Sequence, residues 1–289
     1  MEGIYLINKP IGLSSFDCIR HLKKFTKEKI GHAGTLDPLA SGLLIVLVGR
    51  ATKLSSKFIN FSKRYTGEIT FGTSTNTYDK EGEIVKELKE FSLTNELIND
   101  SLKTFLGPIK QLPPLYSAIK VKGKKLYHYA LQGEKIELSK RDVTVFDFKM
   151  TTPLLNNKFN FSTKVSKGTY IRSLAHDLGE KLNVPAHLSS LTRTEVDDFK
   201  LSEAYNLENI DVNTKPTYTI IEYLSKFPSI KVSGKLEKLV INGIYLDKTH
   251  FKEETDFLVY NNTGTLLAYY EPVKDKYKPV IIWGEWWKL

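Results

Sequence analysis

Apolar and polar positions follow two rhythms along this chain, and the switches between them mark out its elements. Residues 3–7 are an apolar run ending at Asn8-Lys9-Pro10, which predicts a short strand. Ser14 or Ser15 then caps an amphipathic helix reaching about residue 27, with Phe16, Cys18, Ile19 and Leu22 among its apolar positions. The unbroken apolar run 43–48, closed by Gly49, reads as a buried strand. Residues 51–61 have a helical period, with Leu54, Phe58 and Phe61 on one face. Residues 63–71 alternate as a strand does, and 72–82 form a polar loop rich in Thr, Asn and Asp. Thr94 caps a helix to about residue 105, which Gly107-Pro108 stops. Residues 141–150 and 158–166 alternate as two strands, expected to be antiparallel neighbours. Gly168-Thr-Tyr-Ile-Arg172 opens a helix with Ile171, Leu174, Ala175, Leu178 and Leu182 on one face. Residues 187–194 and 196–201 return to strand.

Beyond about residue 212 the pattern changes to short strands, with turns at Asn242-Gly243 and at 261–264. Strands and helices mix without a βαβ rhythm. The expected fold is therefore α+β, a mixed, mainly antiparallel sheet flanked by helices, followed by a small β-rich C-terminal module. The expected division is 1–212 and 225–289. A length of 289 residues fits one large domain with a small appendage, and 41% apolar residues are ample for its core.

Composition narrows the partners. The formal charge of +9 favours a polyanion such as nucleic acid, with an anionic membrane second. No apolar run approaches the roughly 20 residues that span a bilayer, and the N-terminus lacks the charged-then-apolar layout of a signal peptide. Cys18 is the only cysteine, so neither a disulfide framework nor a thiolate metal cluster is expected. A cytoplasmic protein is the expectation, with Cys18 a small core residue. His32 and Asp37 alone are too few ligands for a metal, and no Gly-Lys-Ser/Thr phosphate loop occurs. No cofactor is expected.

Candidate chemistry concentrates in the stretch from Gly31 to Gly42, a glycine-punctuated loop feeding a buried strand. Asp37 is its only acidic side chain. Two readings are open on local pattern: Asp37-Pro38 as a helix N-cap, or Asp37 as a nucleophile. Arginine is scarce, and one of the few, Arg172, falls in the first turn of its helix, where the dipole disfavours a cation. It calls for an anionic partner, phosphate or carboxylate, and Asp37 is the candidate carboxylate; the bland alternative is a snorkelling surface arginine. Tyr65 and Tyr170 are each ordinary core or rim aromatics alone, but with His32 they could stack around one extruded nucleotide. In residues 107–133 the lysines Lys120, Lys122, Lys124 and Lys125 interleave with aromatics such as Tyr127. This composition suits an RNA-gripping arm and equally a solvated hairpin. A non-catalytic RNA-binding module would share the charge and the arm, but would have no need of Asp37.

Several ordered motifs resemble one family. They are Asn8-Lys-Pro-x-Gly-x-Ser-Ser, Gly31-His-Ala-Gly-Thr-Leu-Asp-Pro-x-Ala-x-Gly-x-Leu, Lys63-Arg-Tyr, Gly72 with Thr75-x-Thr-x-Asp-x-x-Gly82, Pro114-x-Tyr-Ser-Ala-x-Lys, Gly123-Lys-Lys-x-Tyr, Lys167-Gly-Thr-Tyr-Ile-Arg-Ser and Leu191-Thr-Arg193. Over residues 3–205 or so the chain resembles the TruB family of tRNA pseudouridine synthases. It departs at Asn76, His128 and Leu131, where the family more often carries Asp, an acid and Arg. The resemblance implies the pseudouridine synthase fold and the isomerisation of a uridine in the tRNA T-arm loop (position 55 of the tRNA). It implies Asp37 as the catalytic aspartate, attacking the base or the sugar C1′, with Arg172 its partner. Tyr65 would stack on the flipped uracil, Tyr170 and Leu191 would line the pocket, and His32 would enter the RNA stack. Lys9 and Pro10 would support the loop, and residues 107–133 would be the arm that grips the T-arm. It implies no metal and no cofactor, tRNA as the partner with no membrane and no obligate protein partner, and, weakly, a PUA-like module over 225–289.

Overall fold

A computed structural model describes the chain except residues 118, 122, 127, 128, 130, 131, 133, 135, 137 and 284–289. The apolar runs become strands for the reason their pattern gives. β1 (Gly3–Lys9) runs into α1 (Ser15–Lys23), capped by Ser14, whose hydroxyl accepts from the Asp17 N–H while Asp17 accepts from the Ser14 N–H. This helix ends four residues earlier than its period predicts. The Thr26 hydroxyl draws the Glu28 N–H into a local turn that competes with helix. β2 (Ile30–His32) and β3 (Ala40–Val48) follow. The expected 51–61 helix is split into a 3₁₀ segment, Gly49–Leu54, and α2, Ser55–Asn60.

β4 (Lys63–Phe71) leads to a hairpin of β5 (Thr73–Thr75) and β6 (Ile84–Glu87), partly within the stretch read as a polar loop. After α3 (Asn95–Lys103) comes β7 (Gly107–Gln111), which pairs with residues 141–145 as an edge strand of the main sheet. The first residues of the expected arm thus belong to that sheet. β8 (Lys120–Val121) and β9 (Lys124–Lys125) form a small separate hairpin. It contains the backbone of Lys120, Lys124 and Lys125, whereas Lys122, Tyr127, His128 and Leu131 lie outside the described residues. β10 (Arg141–Met150) and β11 (Lys158–Val165) are antiparallel neighbours, as their alternation predicts. α4 (Ile171–Leu182) then leads to β12 (Ala186–Val196), a turn at Asp197, β13 (Phe199–Lys200) and β14 (Tyr205–Asn206).

These strands form a ten-stranded sheet in the order β14-β1-β3-β12-β4-β11-β10-β7, with β2 on β3 and β13 on β12. Only β1–β14 and β3–β12 are parallel pairs among them. At β1 and β3 the sheet is buried on both faces, which is why β3 reads as an unbroken apolar run. Tyr5, Ile7, Leu44, Val46 and Val48 face a core closed by α1, α3 and α4 through Leu22, Ile98, Leu174 and Leu178. Ile4, Leu6, Leu43, Ile45 and Leu47 face the opposite side, against Phe58, Phe199 and Tyr223.

That second core joins the C-terminal part to the main sheet. α5 (Ile220–Leu224), β15 (Ser229–Val232), α6 (Gly234–Ile241), β16 (Leu246–Asp247), β17 (Phe257–Asn261), β18 (Leu266–Val273) and β19 (Lys276–Ile282) make up this part. Its five strands pair in the order β15-β17-β18-β19-β16. Leu258, Tyr269 and Ile281 enter the same cluster as Phe58. The short strands expected beyond residue 212 are present, and two helices that the pattern did not predict stand among them. α5 forms because Thr219 and Glu222 make a capping box. Among the described residues no helix is long and apolar enough to cross a membrane.

Candidate active site

The loop between β2 and β3 is pinned from three directions. From β1, the buried Lys9 ammonium donates to the carbonyls of Pro10 (3.0 Å) and Leu13 (2.6 Å), with Pro38 O at 3.5 Å. From α1, the Ser15 hydroxyl accepts from the Leu36 N–H (2.8 Å) and lies 3.1 Å from Leu36 O. From β12, the buried Arg193 guanidinium donates to Gly34 O (3.0 Å) and Leu43 O (2.7 Å). Gly42 sits at φ +101°, and a Cβ there would lie 2.3 Å from Arg193 O, so only glycine lets β3 and β12 approach this closely. Leu36 and Leu39 are buried on either side of Asp37, while the Asp37 side chain keeps 41% of its surface open.

Arg172 meets that carboxylate. Its Nη2 is 2.9 Å from Asp37 Oδ2, and its Nη1 is 3.4 Å from Asp79 Oδ2. The guanidinium also donates to Thr77 O (3.0 Å) and Tyr116 O (3.1 Å). Its planar fork is therefore fixed by two backbone carbonyls and offered to two carboxylates at once. Asp79, itself buried, is held by the Thr77 hydroxyl (2.6 Å) and the Glu81 N–H (3.0 Å). The Asp37 carboxylate thus takes the ion-pair reading of the sequence rather than the helix-cap one. Asp79 went unassigned in the sequence, although it closes the Thr75-x-Thr-x-Asp motif. Only its contact with Arg172 reveals its place.

The aromatic side chains converge on the same point. Tyr65 comes from β4, in register with Arg193 on β12. Tyr170 caps α4, its N–H donating to Gln111 Oε1 (2.8 Å) and its carbonyl accepting from Gln111 Nε2 (3.0 Å). Burial pushes the Tyr170 phenol above its ordinary pKa. Asp37, Tyr65, Tyr170, Arg172 and Leu191 all line one cavity of about 490 Å³, within the usual size of small-ligand sites. Lys63 and Arg193, to which the sequence reading gave no part in the pocket, line it too. His32 does not. It is half-buried on β2, with an Nδ1 that has no hydrogen-bond partner, and burial first and Arg193 second lower its pKa, favouring the neutral ring. Among the described residues no group of three or more His, Cys, Asp or Glu is arranged to hold a metal ion.

The sheet and the helices around it have the pseudouridine synthase fold. Cbf5 in a Cbf5–Nop10–Gar1 complex superposes with a TM-score of 0.63 at 21% identity, covering 97% of this chain and 83% of the other. An archaeal box H/ACA Nop10–Cbf5 complex gives 0.63 at 22% identity, over 94% and 79%. Sequence is more specific. Residues 22–171 match the family model for the TruB family pseudouridylate synthase N-terminal domain, and 172–221 match the tRNA pseudouridylate synthase B C-terminal domain. The tRNA pseudouridine synthase B of Bacillus cytotoxicus is 41% identical over 285 residues, 94% of this chain and 92% of the relative. That of Bacillus subtilis is 39% identical over 288 residues, 94% and 93%. The chain belongs to the TruB family of pseudouridylate synthases.

Proposed function

We propose that the protein isomerises the T-arm-loop uridine of tRNA to pseudouridine in the cytoplasm, with Asp37 as the nucleophile. The observation that carries this reading is the half-open Asp37 carboxylate, held 2.9 Å from Arg172 at the wall of the cavity that Tyr65, Tyr170 and Leu191 line. Its names come from relatives about 40% identical over nearly the whole chain.

The uridine must leave the stacked RNA loop to expose its glycosidic bond, at a cost of a few kcal/mol. Stacking on an aromatic such as Tyr65 offsets about 1–3 kcal/mol of that. Arg172 holds the Asp37 carboxylate in a fixed direction, which suits attack rather than proton donation. Asp37 attacks the base or the sugar C1′, the base detaches, turns and rejoins through carbon. His32 enters the stack where the base has left, and lysines Lys120, Lys122, Lys124 and Lys125, with Tyr127, grip the T-arm. On this reading residues 1–212 form the catalytic domain and 225–289 a PUA-like appendage. Asp37→Asn keeps the shape and removes the nucleophile. Pseudouridine formation should vanish while tRNA binding stays within about threefold, less than 1 kcal/mol. Wild-type-like conversion by this variant, assayed on a tRNA transcript without cofactor, would refute the assignment.

A further inference from the structure

Three cations around the Asp37 loop are buried without a carboxylate. Lys9, Lys63 and Arg193 are 0%, 6% and 1% exposed. Each makes hydrogen bonds to backbone carbonyls and pairs with no acid among the described residues. Buried charge of this kind is costly unless something anionic completes it. Lys9 faces the back of the loop, whereas Lys63 and Arg193 line the cavity. Both flank Gly34: a Cβ there would lie 3.5 Å from Arg193 Nη1 and 3.7 Å from Lys63 Cε. The Lys63 ammonium has three donors. Two go to Ile59 O (2.7 Å) and Phe61 O (2.6 Å) at the end of α2, and those carbonyls leave one unused. Arg172, by contrast, is already neutralised by Asp37 and Asp79.

We propose that Lys63 is a further catalytic residue, whose ammonium stabilises the negative charge on the uracil while it is detached from the sugar. This rests on the function proposed above. As the N1–C1′ bond breaks, its electron pair stays on N1 and is shared with the base oxygens, while the Asp37 carboxylate takes up C1′. The base turns, C5 bonds to C1′, and the carboxylate leaves. C5 gives its proton to water, and N1 takes one back, so product and substrate are isomers. If Asp37 adds first to C6, the displaced pair moves onto O4. Either route makes an anionic base, so the need for the cation does not depend on which is followed. A fixed positive charge at the site of developing negative charge is the arrangement that most lowers a barrier. The structural alternative is that Lys63 only caps α2.

Burial, then Arg193 on β12 and Lys167 ahead of α4, lower the Lys63 pKa to about 8, with Asp197 in the turn after β12 acting the other way. Lysine is active when protonated, so the single-turnover rate of pseudouridine formation should fall as pH rises through about 8. Lys63→Met should lower that rate about 100-fold, as loss of an oxyanion donor does, with tRNA affinity within about threefold. Lys63→Arg stays charged and should keep at least about a tenth of the rate without the alkaline fall. A helix cap alone would shift the melting temperature and leave the alkaline limb in place. A Lys63→Met rate within about threefold of wild type overturns the proposal, as do an alkaline limb that persists in Lys63→Arg, a wild-type profile flat to pH 9 and a Lys63→Arg rate as low as that of Lys63→Met. If Lys63→Met fails to fold, the comparison of wild type with Lys63→Arg decides. A wild-type protein that forms no pseudouridine refutes the underlying function instead.

Discussion

Arg172 is placed where a helix least favours a cation, at a cost of a few tenths of a kcal/mol to about 1. Asp37 and Asp79 offset that cost, and the fork geometry lets one side chain serve both. Lysine has the charge without the fork. Arg172→Lys should therefore lower the single-turnover rate about 10- to 100-fold, the worth of one or two charge-assisted hydrogen bonds, with tRNA affinity little changed. An unaltered rate would show that the orientation of Asp37 does not depend on the fork. Much of this site was legible in sequence: Asp37 from its isolation in a glycine loop, Arg172 from its awkward helix position, Tyr65 and Tyr170 as stacking surfaces for an extruded base. Asp79 and Lys63 were not. A buried lysine looks like any other lysine in a lysine-rich chain, and the Asp79 pairing with Arg172 joins residues far apart in sequence. Each falls in a short motif, but nothing local assigns either a role.

At the scale of elements, legibility followed burial. β4, β10 and β11 bury side chains that alternate, and β1 and β3 are covered on both faces, so each left a readable pattern. The β5–β6 hairpin did not, since Ile84 and Val85 are each 63% exposed and β6 has no buried face to enforce alternation. The helices α5 and α6 are five and eight residues long, too short for a period to emerge. The lysine segment shows the limit of composition. β7 opens the segment 107–133 whose lysine and aromatic composition suits an arm, yet its backbone completes the sheet beside β10. The lysines beyond it carry a prediction of their own. Replacing Lys120, Lys122, Lys124 and Lys125 with alanine should weaken tRNA binding and flatten its dependence on salt, since each lost phosphate contact releases fewer counterions. Titration of affinity against salt concentration measures this, and an unchanged slope would remove the arm from the RNA interface.

For the molecule as a whole, the two sheets are joined by apolar packing and, among the described residues, one ion pair. Phe58 of α2 stacks on Phe199 and packs against Tyr223, beside Leu258 and Tyr269 from the C-terminal sheet. Lys57 of the same helix pairs with Asp256, which also accepts from the Tyr269 hydroxyl at 2.6 Å. Lys57 stands 4.6 Å from the centre of the Phe227 ring. The two charged side chains are 22% and 15% exposed. Asp256→Asn leaves Lys57 uncompensated there and should destabilise the fold by about 1–3 kcal/mol, below the cost for a fully buried pair. Thermal melting measures it, and an unshifted midpoint would make the contact incidental. Because α2 also contributes Ile59 to the cavity wall, the loosened variant should lose some activity as well.

The parallel pairing of β3 with β12 ties Ala40–Gly42 to Leu191–Arg193. Early and late segments of the polypeptide therefore meet only when both have been synthesised. A nascent chain still holding residue 193 inside the ribosome lacks the third of the three anchors on the Asp37 loop, the one that Arg193 supplies. The pocket wall that Leu191 and Arg193 supply is therefore completed only after about two thirds of the polypeptide has emerged.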